Sequence, residues 1–86
     1  GTLRARLLGH SQSVTKVCFN MQGSLVLTAS ADGTARVWDS FSGECLQVLR
    51  GHEEEVFGCG FSYCGELVLT ASTDNSVRVW EREKDG

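Results

Sequence analysis

The chain has 86 residues, with eight Lys or Arg, eleven Asp or Glu, a formal net charge of −3, four cysteines and no proline. That length holds one small domain at most, and the absence of any run of 18 apolar residues excludes a helical membrane span. A net acidic chain with no basic cluster argues against nucleic acid as a partner, and with no signal peptide visible the expectation is an intracellular, cytoplasmic protein.

In chain order, residues 2–8 align with residues 44–50 at an offset of 42 and read as an outer strand, here termed d. Val14–Phe19 reads as strand a, followed by a turn in which Gly23 takes a left-handed conformation. Strand b, Leu25–Ser30, places Val26, Thr28 and Ser30 on one face and Leu27 and Ala29 on the other. Neither face is strongly polar, so the strand is expected to lie between neighbouring sheets and not to carry one wet face. Asp32-Gly33 predicts a two-residue hairpin turn with positive φ angles. Strand c, Thr34–Asp39, sets Arg36 and Trp38 on one face and Val37 on the other, and Phe41-Ser42-Gly43 then turns the chain into strand d, Cys45–Arg50.

The cycle then restarts. Leu25–Trp38 returns 42 residues later as Leu67–Trp80, with ten of the 14 positions identical, and the same offset pairs Gly9-His10 with Gly51-His52, Val14 with Val56, Phe19 with Phe61 and Gly23 with Gly65. Asp74-Asn75 serves the second hairpin turn less easily than Asp32-Gly33. Self-similarity at this period is the signature of an array of sheets. The fold class is therefore all-β: four short antiparallel strands per period, each set one propeller blade, giving two four-stranded blades in an incomplete ring. Residues 1–43 hold the leading strand d and strands a to c of blade 1. Residues 44–86 hold strand d of blade 1, strands a to c of blade 2 and a frayed tail over residues 82–86. The last blade, Val56–Glu81, has no strand d of its own. Two blades cannot close a ring, and stacked repeats usually need at least three copies. The chain is thus either a piece of a longer propeller or one of several copies that complete one another's blades.

Gly9-His10 … Trp38-Asp39 and Gly51-His52 … Trp80-Glu81, with Ser30-x-Asp32 and Ser72-x-Asp74 between, resemble two tandem repeats of the WD40 family over essentially the whole chain. Departures are small: Glu81 replaces an Asp, and the a–b turns lack proline. The resemblance implies a hydrogen-bonded tetrad in each blade, His10 with Thr28 (or Ser30), Asp32 and Trp38, and His52 with Thr70 (or Ser72), Asp74 and Trp80. It also implies that partners bind a top face formed by the d–a loops and b–c turns, at Ser13, Thr15, Ala31, Glu55, Phe57 and Thr73. The wording Ala29–Arg36, with Gly43–Leu49 before Gly51-His52, is similar to that of WD40 proteins that help assemble outer-arm axonemal dynein. That likeness implies a cytoplasmic and ciliary adaptor.

The candidate chemistry has structural alternatives. His10 and His52 could act as bases or metal ligands, but corresponding residues of neighbouring blades do not converge, and no zinc-type spacing is present. A tetrad role satisfies the physics: a buried indole N–H needs an acceptor, and a buried imidazole needs both nitrogens paired. Cys18, Cys45, Cys59 and Cys64 do not repeat at the 42-residue offset and are expected as reduced thiols. Arg36 and Arg78 could hold a phosphate, but they recur beside each tryptophan as stems packed across a blade face. Glu53, Glu54 and Glu55 replace Ser11-Gln12-Ser13 of the first copy and Phe57 replaces Thr15, so neither feature is required by the blade. An acidic loop beside an aromatic suits a basic peptide or domain. No catalytic residue, metal or cofactor is expected, and the leading reading is a non-enzymatic scaffold for assembly of a larger complex. Two other classes remain. One is the substrate-recognition module of a ubiquitin ligase, against which the acidic loop counts; the other is a blade pair that associates with further blades of the same chain or other copies of it.

Overall fold

A computed structural model describes residues 6–82. The described chain forms seven strands: β1 Val14–Phe19, β2 Leu25–Ser30, β3 Thr34–Asp39, β4 Cys45–Arg50, β5 Val56–Phe61, β6 Leu67–Ser72 and β7 Val77–Glu81. They make two antiparallel sheets, β1-β2-β3-β4 and β5-β6-β7. The second sheet has three strands, as expected for a last blade without a strand d of its own: none lies beside β7 among the described residues. Residues 6–8 of the expected leading strand carry no strand, and residues 2–5 lie outside the described residues, as do residues 83–86 of the tail. The reason is one of partners: β4 exists as a strand by pairing along β3, from Thr34 opposite Arg50 to Trp38 opposite Cys45, whereas among the described residues no strand pairs with residues 6–8.

The two sheets meet face to face. Pairing of Leu27 with Val37 in the first sheet and of Val68 with Trp80 in the second sets these side chains on opposed faces. They pack with Ala35 and Leu49 into one core, flanked by Cys18, Leu25, Cys59 and Phe61. Leu27 and Val37 are 0% and 1% exposed, and full burial of such a side chain stabilises by roughly 1.5–3 kcal/mol. Their counterparts one period on, Leu69 and Val79, are 39% and 62% exposed. The expected sandwiching of strand b thus holds for β2, whereas the corresponding face of β6 is bare, since no third sheet covers it among the described residues.

The b–c turns also differ from expectation. Gly33 and Asn75 have φ of 87° and 72°, and neither Asp32 nor Asp74 has positive φ. The amide of Gly33 donates to the Ser30 carbonyl (3.2 Å) and that of Asn75 to the Ser72 carbonyl (3.1 Å). Each connection is a turn with Ala31-Asp32 or Thr73-Asp74 at its centre, followed by one left-handed residue, a three-residue hairpin with a bulge. Glycine at position 33 has a second cause. A Cβ there would stand 3.1 Å from the carbonyl oxygen of His52, because the loop leading into β5 packs directly on this turn.

Candidate functional site

Two hydrogen-bonded chains run through the sheets in parallel. In the first, Trp38 Nε1 donates to Thr28 Oγ1 (2.8 Å), Thr28 Oγ1 lies 2.6 Å from His10 Nε2, and His10 Nδ1 lies 3.1 Å from Asp32 Oδ2. In the second, Trp80 Nε1 donates to Thr70 Oγ1 (2.8 Å), Thr70 Oγ1 lies 2.7 Å from His52 Nε2, and His52 Nδ1 lies 3.0 Å from Asp74 Oδ2. A carboxylate only accepts, so each Nδ1 carries the proton, and the threonine, already accepting from the indole, gives its own hydrogen to Nε2. This assigns both imidazoles as the neutral Nδ1–H tautomer. Imidazole and indole meet edge to face, with centroids 6.1 Å and 6.4 Å apart in the two copies.

Ser30 and Ser72, which sequence alone left as alternatives to the threonines, stand elsewhere. Ser30 Oγ donates to the Gln12 carbonyl (3.3 Å) and accepts from the Asp32 amide (3.1 Å). Ser72 Oγ donates to the Glu55 carbonyl (2.8 Å) and accepts from the Asp74 amide (3.2 Å). These serines tie each turn to the loop before strand a. Sequence reasoning missed a further pair, Thr34 and Ser76, whose hydroxyls donate to Asp32 Oδ1 and Asp74 Oδ1. Their recurrence as hydroxyls at the 42-residue offset was the available signal. Burial works against ionisation of Asp32, but hydrogen bonds from Thr34, His10 and the Ser11 amide outweigh it and hold its carboxyl well below the usual range. For Asp74 the Ser76 hydroxyl is the largest influence, joined by His52 and the Glu53 amide, with the same result against a smaller burial effect.

Gly9 and Gly51 are small because the arginines lie against them. A Cβ at Gly9 would meet Arg36 Nη1 at 2.3 Å and Trp38 Cη2 at 3.3 Å, and one at Gly51 would meet Arg78 Nη1 at 2.8 Å and Trp80 Cη2 at 3.1 Å. Arg36 also places its guanidinium carbon 5.9 Å from the Trp38 ring centroid. These contacts set each guanidinium beside its glycine, with that of Arg36 over the Trp38 ring.

The remaining candidates gather where β1 and β5 begin. Strand register shifts between Val14 and Lys16 and between Val56 and Gly58, so Thr15 and Phe57 are each the extra residue of a β-bulge, a device that re-aims a side chain. Thr15 Oγ1 donates to the Val56 carbonyl and bridges the two sheets. Phe57 is 52% exposed. The Ser13 carbonyl accepts from the Ala31 amide (2.9 Å), and the Glu55 carbonyl accepts from the Thr73 amide (3.0 Å). Glu53, Glu54 and Glu55 are all exposed, while their backbone is held: the Glu53 amide donates to Asp74 Oδ2 (3.2 Å) and the Glu54 carbonyl accepts from Ser72 Oγ (3.2 Å). Among the described residues, no group of three or more His, Cys, Asp or Glu side chains is placed to hold a metal, and all four cysteines are free.

The chain resembles known proteins in its repeats. It is 43% identical over 44 residues to eukaryotic translation initiation factor 3 subunit I of Debaryomyces hansenii, an alignment that spans 51% of this chain and 13% of that protein. Pre-mRNA-processing factor 19 of Homo sapiens is 44% identical over 46 residues, 54% of this chain and 9% of that one. THO complex subunit 6 of Arabidopsis thaliana is 39% identical over 49 residues, 57% of this chain and 13% of that one. The chain thus matches only a small part of the length of these relatives. The crystal structure of the computationally designed Ika4 protein superposes with a TM-score of 0.81 at 32% identity, covering 94% of this chain and 48% of that one. The family model described as WD domain, G-beta repeat matches residues 1–39 and 43–81. With that match spanning both copies, the chain belongs to the WD40 repeat family.

Proposed function

We propose that this chain is a non-enzymatic protein-interaction scaffold, and that its top face takes a basic peptide or domain at Glu53, Glu54, Glu55 and Phe57. The observation that carries the reading is the fixed backbone beneath the acidic loop. Asp74, Ser72 and Thr73 hold the amides and carbonyls of residues 53–55, so three exposed carboxylates project from a frame ordered before any partner arrives. Pre-ordering lowers the entropy lost on binding, and the bulged Phe57 adds an aromatic anchor beside the charge. Ser13, Thr15, Ala31 and Thr73 lie around it, although Thr15 is engaged with Val56 and supports the face more than it touches a ligand. Two relatives whose names make them subunits of larger assemblies support the general reading.

The test is binding of a Lys/Arg-rich peptide by the wild type, by Phe57→Ala and by a variant with Glu53, Glu54 and Glu55 all changed to Ser. A roughly tenfold or greater loss in both variants is expected, since each good anchor or charge cluster contributes more than about 1.4 kcal/mol, with steep weakening in salt. Equal affinity in all three proteins removes the face from the argument. The narrower reading, an axonemal dynein-assembly adaptor in the cytoplasm and cilium, gains no support from these relatives. Tagging the protein in ciliated cells tests the location, and exclusion of the tag from cilia would rule the ciliary part out.

One observation favours a second partner class, another blade. The face bearing Leu67, Leu69, Val77 and Val79 is bare in the second sheet, where the equivalent face of the first is covered. Further blades of the same chain, or another copy of it, suit that face. Sedimentation of the 86-residue chain is expected to show concentration-dependent association that Leu69→Lys relieves; a wild type that stays monomeric throughout would exclude pairing between copies.

A further inference from the structure

We propose that Cys18 and Cys59 are a modification site: on meeting a peroxide they form a disulfide that joins the two sheets. Cys18 lies in β1 and Cys59 in β5, so the pair spans the interface and not a single sheet. Their Sγ atoms are 3.8 Å apart. Each thiol also lies near a carbonyl, Cys18 Sγ 3.9 Å from the Cys59 oxygen and Cys59 Sγ 3.9 Å from the Leu27 oxygen. A disulfide needs about 2 Å between sulfurs, so the pair closes by somewhat under 2 Å on oxidation.

The repeat does not explain the pair. At the 42-residue offset Cys18 corresponds to Gly60 and Cys59 to Val17, so neither blade requires a thiol at either position. Two departures from the repeat have met across one interface. Both residues are half-buried, so neither thiol is sealed in the core.

The chemistry balances with hydrogen peroxide as the named oxidant. Burial, with Cys18 close by, pushes the Cys59 thiol up to about 12, so Cys59 keeps its proton in the first step and gives it up in the second. The Cys18 thiolate displaces hydroxide from the peroxide O–O bond and becomes a sulfenic acid. Cys59 sulfur then attacks the Cys18 sulfur, the S–O bond breaks, and the departing oxygen leaves as water with the Cys59 proton. Two thiols and one peroxide give one disulfide and two waters. The product staples β5 to β1, adding a covalent bond to an interface held by the apolar core and by the Thr15 to Val56 hydrogen bond.

The test uses the Cys45→Ser/Cys64→Ser variant of the whole chain, treated with stoichiometric peroxide in native buffer and in concentrated urea. Trypsin cleaves after Lys16, Arg36, Arg50 and Arg78, which places Cys18 and Cys59 on separate peptides, residues 17–36 and 51–78. The expected result is a mass loss of about two hydrogens and a joined pair of these peptides, formed at least roughly tenfold faster in native buffer than in urea because the fold supplies the effective concentration. Oxidised protein should melt roughly 10 °C higher and return to the reduced value with dithiothreitol. Joining no faster than in urea, or oxygen added to one cysteine with no linkage, would overturn the proposal. If the double serine variant does not fold, Cys64→Ser alone gives the same readout, since Cys45 lies on a third peptide, residues 37–50.

Discussion

Replacing Thr28 with valine isolates the relay at its centre. The side chains are close in volume, so no cavity opens, but the hydroxyl that accepts from Trp38 and donates to His10 is gone. Two buried groups are orphaned: the indole N–H of Trp38, a residue 1% exposed, and Nε2 of His10, whose side chain is 4% exposed. An unsatisfied buried group costs about 1–3 kcal/mol, and partial relaxation of the imidazole places the sum near 3 kcal/mol. For a domain of this size that lowers the melting temperature by more than roughly 10 °C. Urea titration followed by tryptophan fluorescence measures the change. Thr70→Val should cost less, because Trp80 is only half-buried and its N–H reaches water more easily. In a double-mutant cycle, His10→Ala should cost less in the Thr28→Val background than in the wild type, by about 1 kcal/mol or more. A Thr28→Val protein within about 0.5 kcal/mol of wild type, or strict additivity with His10→Ala, would refute the relay as a source of stability.

Other outcomes follow from the same geometry. Gly33→Ala should destabilise by about 2 kcal/mol, since a left-handed φ and the His52 carbonyl both oppose a Cβ there; Gly23→Ala, with a similar φ and nothing within 4 Å, should cost about half as much in the same urea titration. Asp32 and Asp74 have folded-state pKa values below the unfolded value of 3.8, so their contribution is fully present above about pH 5 and is lost as pH falls through that value toward the folded one. Melting temperature should therefore fall below pH 4 or so, and Asp32→Asn, although less stable at neutral pH, should show a flatter acid limb. Gly9→Ala should displace the Arg36 guanidinium from the Trp38 face, read as a change in tryptophan emission with a modest loss of stability.

The repeat made strand positions legible because one offset aligns every polar and apolar site, and a strand's period of two then fixes which residues share a face. Thr28 and Ser30 show where that logic stops. They lie two apart on one face, so alternation cannot say which hydroxyl lies under the indole; the pairing of Val26 with Trp38 and Thr28 with Arg36 decides it. The turn at Asp32 was misjudged for a related reason. Asp-Gly suits a two-residue loop locally, but the Asp32 carboxylate accepts from the Thr34 amide (2.9 Å) as well as from His10, which favours a longer turn. The leading segment reflects a different limit: residues 6–8 read as strand-like by their offset but carry no strand, because a strand exists only where a neighbouring edge receives it. Phe57 was visible as an aromatic out of step with the repeat, but the bulge that aims it depends on backbone register, which the offset alone does not encode.

β7 ends the second sheet with one side of its backbone unmatched by any strand among the described residues. Such a fringe of amides and carbonyls is a template on which an extended segment from solution can nucleate, including one from a misfolded neighbour. Arg78 and Glu81, both exposed on this strand, put opposite charges beside the fringe and slow careless stacking. Neutralising both would convert a guarded border into a growth point for fibrils, visible as shortened lag times in thioflavin assays.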